Sequence, residues 1–127
     1  MKYLLMVYSN ATSLAAWEGL SDEQRAEFGL GHMALTKRLA ASGELIASEG
    51  LADQAVAKRV NLREGRMVVS DGPFAEVKEH LAGFYLVECE TVERALELAA
   101  EVPDAAYNGV EVRPVLDLSE MAAELDD

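Results

Sequence analysis

The chain has 127 residues, 50% of them apolar and 27% charged, enough for one compact domain with a hydrophobic core and too short for two. Twenty-three acidic side chains against eleven basic ones give a net charge of -12, which repels polyanions and argues against direct contact with nucleic acid or an anionic membrane surface. No run approaches the ~20 apolar residues of a membrane span, and the single cysteine, Cys89, excludes an intramolecular disulfide and a cysteine-rich metal site.

Residues 2–8 are apolar and β-favouring on both alternating faces, the pattern of a central strand covered on two sides. The stretch from Lys2 to Ala16 imitates a signal peptide only faintly, because its apolar run is short, and the lone cysteine fits a reducing compartment; the expected location is cytoplasmic. Ser9 to Leu20 reads as a loop holding a short helical turn, with Trp17 the aromatic best placed to line a pocket. Ser21 then caps a helix, with Gln24 completing a capping box and Asp22 and Glu23 complementing the helix dipole.

Gly43 supplies the left-handed residue that ends this helix. Its inward stripe is Phe28, His32, Leu35 and Leu39, which places a histidine in the middle of the apolar face. Gly29 and Gly31 each cost roughly 1 kcal/mol relative to alanine, pointing to a close approach of another backbone or a ligand, or to a weak first half of the helix.

Glu44 to Leu51, Ala55 to Leu62 and Met67 to Ser70 read as the middle strands, the last two joined by a hairpin turn at Arg63-Glu64-Gly65-Arg66. Between them and the next strand, Gly83 to Cys89, lies Asp71-Gly72-Pro73-Phe74-Ala75-Glu76-Val77-Lys78-Glu79, a loop stiffened by Gly-Pro and crowded with charge. Thr91 caps a second helix with Val92, Ala95, Leu96 and Ala99 as its apolar positions, closed by Pro103. Gly109 to Leu116 is the last strand, and Pro114 points to an edge. Residues 1–116 make the domain; 117–127 form an acidic tail, either a docking helix with Leu118, Met121 and Leu125 on one face or a frayed end.

This order is that of an α+β fold, a ferredoxin-like split βαβ sandwich with an antiparallel sheet. Two helices cover one face of such a sheet, yet the strands at 2–8 and 83–89 are apolar on both. A second copy of the chain is the simplest cover, so a homodimer with sheets face to face is expected.

Asp71 is placed at a strand end by a rigid turn, as a functional carboxylate or as a turn aspartate bonded to its own backbone. His32 is its natural partner: a carboxylate on one ring nitrogen would fix the tautomer and raise the basicity of the other, giving a general acid/base pair. The alternative is a core histidine satisfied by a backbone carbonyl. His80 reads as a solvated turn residue that could compete for Asp71. Glu76, Lys78 and Glu79 form local ion pairs, or Lys78 holds an anionic substrate if it faces a cleft; Phe74 and Trp17 are core, interface or pocket aromatics. No histidine or cysteine pair has metal-ligand spacing, and no nucleophile elbow, phosphate loop or dinucleotide fingerprint is present, so neither metal nor cofactor is expected.

The loop from Asp71 to Glu79, with His80-Leu81-Ala82-Gly83-Phe84-Tyr85 after it, resembles the signature of the DGPF-type branch of the YciI-like, YCII-related family. Gly43, Glu49-Gly50-Leu51, the Ala95 helix ending at Pro103, and Val112-Arg113-Pro114-Val115 extend the likeness from Lys2 to Leu116. The resemblance implies a dimeric α/β barrel and an active-site pair of a first-helix histidine and a loop aspartate, which fall on His32 and Asp71. It also implies an association with alternative sigma factors. Two readings follow: a small-molecule enzyme using His32 and Asp71, with Trp17, Phe74 and Lys78 at the substrate, or a non-catalytic ligand-binding or regulatory dimer linked to sigma-factor-dependent transcription through a protein partner.

Overall fold

A computed structural model describes residues 1–74 and 77–126. The chain runs β1 (Lys2–Ser9), α1 (Ala11–Glu18), α2 (Asp22–Ser42), β2 (Leu45–Gly50), β3 (Lys58–Arg63), β4 (Arg66–Asp71), β5 (His80–Glu88), α3 (Val92–Glu101), β6 (Val110–Pro114) and α4 (Leu118–Asp126). Short 3-10 turns at Gln54–Val56 and Pro103–Ala106 join β2 to β3 and α3 to β6. The main sheet has the order β2-β5-β1-β6, every pair antiparallel, which is the ferredoxin-like arrangement expected.

Local chemistry sets the boundaries. Ser21 and Gln24 form the capping box of α2, and Gly43 ends that helix at φ +80. The stretch expected as a loop is instead the helix α1, because Asn10 and Ser13 cap each other's backbone in a second box. Asn and Ser three residues apart are sufficient for that start, and Gly19 closes the helix.

The core lies between the sheet and one layer of helices. Tyr3, Leu5 and Val7 of β1 and Tyr85 and Val87 of β5 meet Leu35 and Leu39 of α2 and Ala95, Leu98 and Ala99 of α3. The buried stripe of α3 differs from expectation: Leu98 and Val102 are inside, while Val92 and Leu96 are exposed. Thr91 fixes the phase of the helix, and positions 95, 98, 99 and 102 then share the face toward the sheet.

On the opposite face, Leu4 pairs with Leu86 and Met6 with Phe84, bordered by Arg113 and Glu111 of β6 and Glu49 of β2. This apolar strip belongs to the two central strands, as their two-sided composition requires.

β3 and β4 do not join this sheet. They form a separate two-stranded hairpin, turned at Glu64 and Gly65 with φ of 52 and 76. Asp53 caps the 3-10 turn that redirects the chain out of the sheet after β2. The hairpin is tied back at Gly72, whose N–H donates to the Ala57 carbonyl at 2.7 Å. A Cβ there would stand 2.6 Å from the Gln54 carbonyl oxygen, so only glycine fits. β6 is an edge strand ending at Pro114, as expected. The tail does form a helix, α4, but its stripe of Leu118, Met121 and Leu125 is exposed. Among the described residues no helix is long and apolar enough to cross a membrane.

Leu35 and Leu30 provide a contrast within one helix, the first fully buried and the second exposed. Leu35→Ala is expected to cost about 2–5 kcal/mol in urea denaturation, and Leu30→Ala to stay within about 0.5 kcal/mol of wild type.

Candidate functional site

His32 sits midway along α2 on the side facing β5, with both ring nitrogens engaged. Nδ1 lies 2.6 Å from the Tyr85 hydroxyl and Nε2 lies 2.7 Å from Asp104 Oδ1. A carboxylate only accepts, so Nε2 carries a proton and donates it to Asp104; the neutral ring then accepts at Nδ1 from the Tyr85 O–H. The imidazole also stacks on the Tyr85 ring, 5.9 Å between centroids and 8° from parallel, with Phe28 edge-on at 5.0 Å. Asp104, His32 and Tyr85 thus form one hydrogen-bonded line across a helix, a turn and a strand.

Sequence places Asp104 there through two small details. A Cβ on Gly31 would stand 3.0 Å from Pro103 Cγ, so the absence of a side chain lets the 3-10 turn press against α2. Pro103 begins that turn and Asp104 follows it, while Gly31 precedes His32. The weak glycine of the helix therefore marks the point where the carboxylate is brought in. Gly29, by contrast, faces open space.

Burial pushes the Tyr85 phenol above its ordinary range; a hydrogen bond from Thr36 pulls it back, and the charge of Asp104 adds to the rise. Tyr85 is 5% exposed, whereas the His32 and Asp104 side chains keep 29% and 20% of their surface. The buried end of the line is a protonated phenol and the accessible end a carboxylate.

Two cavities meet here. One of about 440 Å³ lies under α1 and is walled by Trp17, Phe28 and Tyr107, with Asp53, Gln54, His80 and Asp104 among its polar groups. The other, about 610 Å³, runs beside α2 and holds His32, Thr36, Glu49 and Tyr85. Phe28, Ala82 and Asp104 line both.

Several expected site residues lie elsewhere. Asp71 is at the end of the hairpin, its carboxylate 2.6 Å from Lys58 Nζ and 76% exposed; the structure gives His32 a different carboxylate, Asp104. The reason is topological, since β4 leaves the sheet whose helices carry the histidine. Phe74 is covered by the Arg59 guanidinium, 3.9 Å from its centroid, and Lys78 is exposed; neither lines either cavity. Glu79 accepts from Asn10 Nδ2 at 3.3 Å, while Ala75 and Glu76 lie outside the described residues. Trp17 does line a cavity, and His80 is a half-buried cavity residue at the start of β5 rather than a solvated turn.

Tyr85 and Asp104 are not legible in the sequence as partners of His32, since they stand 53 and 72 residues from it along the chain. The readable signal was Gly31 beside His32, which requires something to pack closely at that point. Among the described residues no group of three or more His, Cys, Asp or Glu side chains is placed to hold a metal ion.

Residues 1–119 match the sequence model of the YCII-related domain. An uncharacterised protein of Rhizobium meliloti (strain 1021) is 32% identical over 117 residues, covering 91% of this chain and 92% of that protein.

Tyr85 and Tyr8 both hold their protons more tightly in the folded chain, Tyr8 through its hydrogen bond to Glu111. Folded values above unfolded ones give stability that is complete below about pH 10 and lost as pH rises through the folded values. Stability measured by denaturation at rising pH is expected to fall above about pH 10, and Tyr85→Phe to shallow that fall. At neutral pH the same variant leaves Nδ1 of His32 without its donor, at a cost of about 1–3 kcal/mol.

Proposed function

From the premise that the chain belongs to the YCII-related family, we propose that it is a small-molecule enzyme working through a His/Asp acid-base pair between helix and sheet. His32 is the acid/base and Asp104 the carboxylate that orients it. The observation that carries this reading is the Asp104–His32–Tyr85 line, in which Asp104 borders both cavities and His32 and Tyr85 border the one beside α2. The substrate lies across Asp104, its body in the cavity under α1 and its reacting group at Tyr85. A proton leaving the substrate arrives on the Tyr85 oxygen as that oxygen's own proton passes to His32 Nδ1. Asp104, at Nε2, stabilises the imidazolium that results. The raised Tyr85 pKa favours the phenol over the phenolate at both ends of this transfer. In this reading Trp17 is a substrate wall, while Asp71, Phe74 and Lys78 belong to the hairpin and its loop.

A second reading is favoured by one observation, that both His32 nitrogens are already occupied by groups of its own chain. On that reading the protein is a ligand-binding or regulatory dimer, reaching sigma-factor-dependent transcription through a protein partner. Turnover separates the two. In a small-molecule screen, Asp104→Asn and His32→Gln are expected to lower kcat by about 10²–10⁴, with Asp71→Asn unaffected. Binding without turnover would instead favour the regulatory dimer, and loss of kcat in Asp71→Asn would return the pair to His32 and Asp71. ¹⁵N spectra of the two histidines give an independent measure. The His32 signals are expected to show the Nε2–H tautomer and to change in Asp104→Asn.

We also propose a homodimer, supported by the apolar outer strip of Leu4, Met6, Phe84 and Leu86, and a cytoplasmic location, supported by the single free cysteine. Sedimentation at micromolar concentration is expected to give a dimer, and Leu86→Lys a monomer. A monomeric wild-type chain would exclude this assembly.

A further inference from the structure

The cavity under α1 has a lining whose chemistry selects its ligand. Its apolar wall is aromatic: Phe28 meets Trp17 edge-on at 5.4 Å and Tyr107 at 6.0 Å between centroids. Its charged lining is entirely acidic apart from the imidazole of His80, with Asp53 and Asp104 present and no lysine or arginine among the described residues. Arg25 does lie against Trp17, 5.4 Å from its ring centroid, but it donates to the Trp17 and Glu18 carbonyl oxygens and does not line the cavity.

Two further observations point the same way. Gln54, also in the lining, has its Oε1 buried with no hydrogen-bond partner among the described residues. An acceptor in that position is satisfied only by a donor. Next to the lining residue Asn108, Asn10 Nδ2 donates to Glu79 as well as to Asn108, which brings another carboxylate close to the cavity. An anion entering here would meet carboxylates and no compensating cation inside a chain of net charge -12. A protonated amine would meet aromatic faces and two carboxylates, with the donor-seeking Gln54 in the same wall.

We infer that the cavity binds a small primary amine carrying an aromatic or branched apolar body, and that it rejects carboxylate and phosphate ligands of the same size. The volume of about 440 Å³ is that of a small-molecule site. The inference rests on the reading of this cavity as the ligand site, and it replaces the anionic substrate that Lys78 would have held.

The test uses the chain's single tryptophan, Trp17, which is itself part of the wall. Its fluorescence is followed during titration of the intact protein with phenethylamine, 2-phenylethanol and phenylacetate, three probes of one shape and different charge. Saturable change is expected with phenethylamine, weaker change with the alcohol and none with the acid. Amine affinity should fall on the order of tenfold in Asp104→Asn and in Asp53→Asn, as loss of a charge-assisted hydrogen bond implies; asparagine at 53 preserves the cap of the 3-10 turn. Phenylacetate binding as tightly as the amine would overturn the inference while leaving the cavity as a ligand site. No response to any probe would overturn both.

Discussion

A histidine held between a helix and a sheet has two nitrogens to satisfy, and much of this molecule's arrangement follows from how that is done. Tyr85 comes from the central strand β5 and Asp104 from the turn after α3, so the ring of His32 joins three elements that are far apart in sequence. The bond to Asp104 is the one that would be pushed if the radius of a Cβ stood between residue 31 and Pro103, the residue before Asp104. Gly31 removes that radius at the cost of a weaker helix, roughly 1 kcal/mol relative to alanine. The site is therefore partly a packing consequence, and its geometry depends on a residue that touches no ligand.

The parts of the fold that local chemistry controls were legible in the residues. Ser21 with Gln24, Gly43, Thr91 and Pro114 each act within a few residues of themselves, and the elements they bound came out where those residues put them. The apolar faces of β1 and β5 likewise announced central strands. Asn10 with Ser13 carried the same kind of signal for α1, but the small polar residues around it masked the helix.

What local chemistry does not control was harder to read. Whether β3 and β4 join the main sheet depends on where the chain is sent after Asp53, and nothing in their own alternation distinguishes an added strand from a free hairpin. Asp71 goes with the hairpin, where it pairs with Lys58. His32 does lie on the inward face of its helix, where its spacing put it; its hydrogen bond to Asp104 was not legible, because that contact forms only through tertiary packing across 72 residues of chain. Trp17 was found because a long aromatic in a polar segment has few other uses.

The segment from Leu51 to Glu79 leaves the sheet after β2 and returns at β5, and those two strands are hydrogen-bonded neighbours. Its ends are therefore near each other, and the sheet order is complete without it. Yet Leu51, Ala52, Asp53 and Gln54, its first residues, supply one wall of the cavity under α1. The chain thus has the construction of a fixed frame with an exchangeable panel. The frame holds Asp104, His32 and Tyr85, and the panel sets what stands beside them. Selection could redraw the panel, in length or in charge, and reshape that cavity wall while leaving the hydrogen-bonded line and the core packing intact.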